Sequence, residues 1–238
     1  PLHSNGSPWH IPFINQYEDV NDLWWFGLLD DRIYLSLKSG STTWAEASVA
    51  WTPLINQWYN VACVNLNNII SFYINGNLIG FVQSNLSFIN LNADLNFGEY
   101  QDGQGFYTNF YPDLHGMMEN VQIWHQALTQ QEIQQYMNCP PTGNEAGLVG
   151  YWNFEEGPGS TVVLDQTVNG NNGTINGATY STNVPLQSCA LTNANGCDST
   201  AILNLTINYG DTSYTNITAC DSVVWNGTTY TQSGTYYS

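Results

Sequence analysis

Residues 56–82 read NQWYNVACVNLNNIISFYINGNLIGFV, and the way this stretch must fold decides the architecture. Residues 58–64 form an aromatic and β-branched run, Asn65, Asn67 and Asn68 supply a turn, and residues 69–74 alternate up to Asn75-Gly76. Asn-Gly between two such runs predicts a hairpin, because both central residues of a type I′ turn need positive φ. The alternation sends Ile70, Phe72 and Ile74 to one face and Ser71 and Tyr73 to the other, which is the pattern of an antiparallel sheet with one buried face. The stretch is a sandwich meander, not a helix.

Working outward, SPWHIPFINQ (7–16) and LWWFGLLDDRIYLSLKSG (23–40) alternate in the same way around Asp30-Asp31 and predict a further hairpin, and residues 47–51 lead into the meander. Another strand is expected over 89–97, followed by a glycine-rich loop at 99–105. HGMMENVQIWHQALTQQEIQQYM (115–137) predicts a strand over 117–124 and then one short helix. Thr129 and Glu132 stand at capping-box spacing ahead of it, and Ile133 and Met137 follow at i, i+4. Pro140-Pro141 and Gly143 mark a connector.

The chain of 238 residues carries only Arg32 and Lys38 against 19 acidic residues, a formal charge of -17. That balance argues against nucleic acid and anionic membrane surfaces as partners. It points to a neutral, cationic or cation-bridged partner, although acidity of this kind is also a known salt adaptation. Charged residues are 9% of the chain while Asn, Thr, Ser, Gly and Tyr abound, a texture of extracellular β-proteins. No run of apolar residues is long enough for a membrane span. The five cysteines, Cys63, Cys139, Cys189, Cys197 and Cys220, fit no CxxC metal pattern. Cys63, inside a strand, reads as a buried free thiol acting as a small hydrophobe.

The order of a Trp-Tyr strand containing a cysteine, followed by SFYINGNLIG, resembles the middle of a laminin G-like domain of the concanavalin A-like lectin and glucanase superfamily. The fold this implies is an all-β, two-sheet jelly-roll sandwich with one short helix, in agreement with the alternation. The segment 115–137 resembles the closing part of such a domain. GLVGYWNFEEGPGSTVVLDQTVNGNNGTINGATYS (147–181) resembles its opening strands. Either a second, truncated domain begins there, or these strands return to the first sandwich. The second reading is adopted, because about 40 residues are too few for another sandwich. One domain over 1–186 follows, with its first strands expected upstream of residue 1.

From Cys189 onward, NANGCDSTAILNLTIN and ITACDSVVWNGTTYTQSGTYYS resemble the tandem Cys-Asp-Ser repeats of large secreted bacterial surface proteins, here with the two halves in reversed order. Residues 187–238 are accordingly expected to form a small, partial β-repeat unit, and the chain to be a piece of a longer exported protein with neighbouring copies of the same module. Two local disulfides are open, Cys189 with Cys197 or Cys197 with Cys220. The turn-forming NANG favours Cys189 with Cys197 and leaves Cys220 free.

For a glycosidase, two carboxylates must face one cleft. Glu155-Glu156 and Asp30-Asp31 are adjacent pairs that a strand would send to opposite faces, and the superfamily's E-x-D-x-E is lacking. His3, His10, His115 and His125 show no nucleophile or zinc spacing. The resemblance implies calcium held by loop oxygens, and Asp165, Asn169 and Asn171 in one glycine-rich loop offer hard ligands; a cluster of Asx turns is the alternative. Trp24, Trp25, Trp44 and Tyr107 are candidate sugar-stacking residues. The expected function is therefore a non-enzymatic adhesion module on the cell surface that binds glycan or an extracellular protein. A polysaccharide hydrolase and a structural spacer are the rivals.

Overall fold

A computed structural model describes residues 10–19, 21–40, 44–84, 91–99, 101–102, 105–106, 114–187, 189, 191–192, 198–199 and 217–236. The strands are β1 (His10–Tyr17), β2 (Leu23–Leu29), β3 (Arg32–Lys38), β4 (Trp44–Ala50), β5 (Val61–Leu66), β6 (Ile69–Ile74), β7 (Asn77–Gln83) and β8 (Leu95–Phe97). After them come β9 (Gln101–Asp102), β10 (Gly105–Phe106), β11 (Val121–Trp124), helix α1 (Gln130–Asn138), β12 (Leu148–Trp152), β13 (Val162–Val163) and β14 (Gly173–Thr174). The chain divides into two units, Pro1–Ala190 and Leu191–Ser238.

The turn chemistry builds the first unit. Asn67 and Asn68 join β5 to β6 at φ 52° and 64°, and Asn75 and Gly76 join β6 to β7 at φ 50° and 70°. Each pair holds the left-handed conformation that a two-residue hairpin requires. Asp30 does the same between β2 and β3 at φ 51°. A five-stranded sheet in the order β4-β3-β2-β1-β8 results, together with the three-stranded sheet β5-β6-β7. The two bury one face each against the other. Ile70 and Phe72 are fully buried, and around them gather Ile33, Leu35, Leu37, Ala47 and Leu28 of the larger sheet. At Gly80 a Cβ would stand 2.8 Å from a Val49 methyl, so only glycine lets β7 approach β4 this closely.

The chain then returns to the same sandwich. β12 pairs antiparallel with β11, Val121 opposite Trp152. Trp152 packs edge-on against Phe97 of β8 at 5.0 Å between centroids, within a second cluster that includes Val121, Val163, Ile14 and Leu95. The helix is capped as its sequence requires: Glu132 N donates to Thr129 Oγ1 at 3.3 Å and Thr129 N donates to Glu132 Oε2 at 2.7 Å. Ile133 is its buried residue, Tyr136 stacks on Trp124, and Gln134 donates to the Gly76 carbonyl.

The disulfide differs from the expected Cys189–Cys197. Cys189 is bonded to Cys139, with Cα atoms 4.4 Å apart and 50 residues between them in sequence. The physical reason is the return path: β12 to β14 carry the chain back so that Cys189 meets Cys139 at the C-terminus of α1. Cys197 lies outside the described residues. Cys220 is an exposed free thiol, and Cys63 is a free thiol against the core whose burial pushes its pKa up to about 12.

The second unit holds β15 (Leu191–Thr192) paired with β16 (Asp198–Ser199), and β17 (Val223–Trp225) paired with β18 (Thr228–Tyr230). Asn226 and Gly227 close the second hairpin at φ 48° and 77°.

Candidate functional site

The face of the five-stranded sheet that points away from the core carries one continuous cross-strand row. Asn96 lies opposite Asn15, Asn15 opposite Trp25, Trp25 opposite Ser36, and Ser36 opposite Glu46. Asn15 and Ser36 are each 1% exposed and Trp25 7%. The Asn15 amide nitrogen donates to the Glu99 carbonyl, which fixes the amide so that Oδ1 is the atom left over. Among the described residues, Asn15 Oδ1 and Ser36 Oγ are buried and find no hydrogen-bond partner. A buried polar atom without a partner costs roughly 1–3 kcal/mol, and among the described residues two such atoms share this row.

Aromatic rings flank these polar atoms. Trp25 and Tyr34 stack at 5.3 Å and 9°, and the Tyr34 hydroxyl bonds to the carboxylate of Glu46, which is exposed. Burial first, and the Glu46 partner second, push the Tyr34 hydroxyl far above its ordinary range. The row is thus closed at Asn15 by the Glu99 carbonyl and lined toward β4 by Tyr34 and Glu46.

The expected stacking residues separate. Adjacent positions on a strand face opposite ways. Trp24 accordingly packs against the core, its indole N–H bonded to Gln16 Oε1 at 3.0 Å, and it is not a surface platform. Trp25 belongs to the row just described. Trp44 is placed by backbone register opposite Lys38 at the end of β4, and Tyr107 lies outside the described residues. Asn15 and Ser36 carry no signal in the sequence and come together only because three strands align them.

At Asp165, Asn169 and Asn171, the residues expected to hold calcium, hydrogen-bond donors surround the carboxylate. Asp165 Oδ1 accepts from Tyr151 N at 3.0 Å and Thr167 N at 2.9 Å. Oδ2 accepts from Thr167 Oγ1, Asn171 N and Asn171 Nδ2 at 2.9, 2.9 and 3.0 Å. Asn169 Nδ2 donates to the Val149 carbonyl at 2.8 Å. Each group bonded to the Asp165 carboxylate is an N–H or O–H, so its oxygens are taken up by donors. Burial alone would raise the Asp165 pKa, but the backbone N–H groups of Tyr151, Thr167 and Asn171 and the Thr167 hydroxyl outweigh it and hold the acid below its usual value. Differential scanning calorimetry is expected to give the same Tm in EDTA and in millimolar calcium; a calcium-dependent rise would refute this assignment.

The adjacent acids also have structural partners. Glu156 accepts from Leu164 N at 2.8 Å and from the Tyr180 hydroxyl at 2.7 Å. Glu119 accepts from Gln187 at 3.2 Å, and burial first, then the Glu155 charge, raise its pKa.

The sequence profile described as concanavalin A-like lectin/glucanases superfamily (Laminin_G_3) matches residues 3–134, more than half of the chain, and the chain belongs to that superfamily. Among solved structures it is similar to a protein from Bacteroides ovatus described as a "putative carbohydrate binding protein", with 21% identity and a TM-score of 0.52 over 78% of this chain. The chain spans 57% of that structure's length, and the likeness is one of fold. An S-layer domain-containing protein from Clostridium thermocellum is 18% identical with a TM-score of 0.28, covering 56% of this chain and 65% of the other; a likeness this distant carries no argument. No curated protein matches.

Proposed function

We propose that this protein is a non-catalytic carbohydrate-binding module acting in adhesion outside the cell, and that the Asn15–Trp25–Ser36 row is its sugar site. The observation that carries this reading is the pair of unpartnered buried polar atoms, Asn15 Oδ1 and Ser36 Oγ, on either side of Trp25. A sugar hydroxyl at each would remove the cost of leaving it bare, and the ring stack supplies apolar contact. The fold of the Bacteroides ovatus protein, with the binding role in its description, supports the ligand class. The Cys139–Cys189 disulfide supports an oxidising, extracellular setting. The hydrogen-bonded roles of Glu156 and Asp165 support binding rather than hydrolysis.

Ser36→Ala tests it with two readings at once. Binding to a panel of immobilised plant and bacterial polysaccharides is expected to weaken about five- to tenfold, the worth of one hydrogen bond. Tm is expected to stay level or rise, since the atom removed has no partner in the fold. A variant that loses stability and keeps its binding makes Ser36 structural and sinks the site. Release of reducing sugar from any panel member by the unaltered protein would replace the binding reading with the hydrolase.

A further inference from the structure

Asparagine followed by glycine can react within the chain itself, and this protein repeats that dipeptide. Among the described residues it occurs at Asn75-Gly76, Asn169-Gly170, Asn172-Gly173, Asn176-Gly177 and Asn226-Gly227. The glycine backbone nitrogen attacks the asparagine side-chain carbonyl carbon, a C–N bond forms, and the side-chain nitrogen leaves as ammonia. The succinimide then takes up water at one of its two carbonyls and opens to aspartate or isoaspartate, each carrying a negative charge that the amide lacked. Glycine has no Cβ to hinder the approach, but the asparagine must be free to swing its side chain over the next nitrogen. The fold allows that motion unequally.

Three pairs are held. Asn75 Oδ1 accepts from Asn60 N at 2.9 Å, the Gly76 carbonyl accepts from Gln134 Nε2 at 2.9 Å, and their turn joins β6 to β7 inside the three-stranded sheet. Asn169 Nδ2 donates to the Val149 carbonyl at 2.8 Å, and Asn172 Oδ1 accepts from Asp165 N at 3.0 Å. The other two are loose. Asn176 and Asn226 are exposed, and neither side chain has a hydrogen-bond partner among the described residues. Asn226 shares the left-handed turn conformation of Asn75, φ 48° against 50°. In that conformation the side chain lies away from the next nitrogen, so either hairpin must open before it reacts. β17 and β18 are three residues each and pair with one another alone among the described strands, and none of residues 217–236 is buried. A two-stranded hairpin of this kind opens readily, whereas β6–β7 opens only with the core. Asn176 lies outside the strands, beyond β14, and has no hairpin to open.

We infer that Asn176 and Asn226 are sites of spontaneous deamidation, and that the fold protects Asn75, Asn169 and Asn172. The inference is independent of the glycan reading. At Asn226 the isoaspartate product lengthens the main chain of a two-residue turn whose length sets the strand register, so the β17–β18 pairing is lost with it. The experiment incubates the whole protein in mildly alkaline buffer, once folded and once reduced and unfolded in guanidinium chloride. Digestion in acid, where the reaction is slow, and fragmentation mass spectrometry then follow each asparagine over time. In the folded protein Asn176 and Asn226 react within about threefold of their unfolded rates, and the three held sites are slowed about tenfold or more, the difference being the cost of local opening. Because each site is compared with itself, flanking sequence does not mimic the result. Asn75 reacting in the folded protein as fast as Asn226 would overturn the inference. Slowing of Asn176 or Asn226 as strong as that of the held sites would overturn the assignment at that residue.

Discussion

Asp165→Ala is expected to cost the first unit about 3 kcal/mol and to lower Tm by about 6–12 °C. The carboxylate collects five donors from Tyr151, Thr167 and Asn171. Through them it joins β12 to the loop 165–172, and Trp152, whose indole N–H donates to the Asn171 carbonyl at 2.9 Å, is held in the second core cluster by the same loop. Alanine leaves those donors facing each other with no acceptor. Asp165→Asn keeps the shape but turns an N–H₂ toward groups that are themselves donors, so it too is expected to destabilise, by about 2 kcal/mol. The pH dependence has a definite sign. The folded pKa of Asp165 is depressed below its ordinary value, so its contribution is fully present above the unfolded pKa and disappears as pH falls through the folded one. Urea titrations should show the unaltered protein losing this increment in acid, below about pH 4, and Asp165→Ala showing a flatter acid limb. Identical acid limbs would contradict the role assigned to the carboxylate.

Breaking the Cys139–Cys189 disulfide is expected to cost about 4 kcal/mol, from the entropy of the closed loop. The bond closes the 50-residue separation that contains β12, β13 and β14, so without it the only covalent tie between the returning strands and α1 is the connector. Cys139→Ser or a reducing agent should lower Tm by about 8–16 °C. Reduction should have no further effect on the Cys139→Ser variant. Non-reducing peptide mapping that recovers Cys189 joined to Cys197 would show the pairing to be the short-loop one.

These two effects also mark where the sequence was legible and where it was not. Local chemistry was readable: Asn75-Gly76 and Asp30-Asp31 announce their hairpins, alternation assigns Ile70, Phe72 and Ile74 to the core, and the Thr129–Glu132 spacing announces the cap. What was hidden depends on distance in sequence. NANG made Cys197 look like the natural partner of Cys189, but the return through β12 brings Cys139 to it instead. Asp165 beside Asn169 and Asn171 has the composition of a calcium loop. Only the direction of its neighbours, with Tyr151 from another strand among them, shows a carboxylate saturated with N–H donors. Trp24 and Trp25 are alike as letters, and register alone sends one into the core and the other to the outer face. Asn15 and Ser36 carried no signal, since an asparagine and a serine in strands are unremarked until pairing sets both beside Trp25.

The claim that this row binds sugar is tested most directly by titrating isotope-labelled protein with a neutral oligosaccharide and following backbone and side-chain amide resonances. The expected result is a set of shifts centred on Asn15, Trp25, Tyr34 and Ser36, including the Asn15 side-chain amide and the Trp25 indole N–H, with the loop 165–172 unmoved. Shifts centred on that loop while the row stays silent would contradict it.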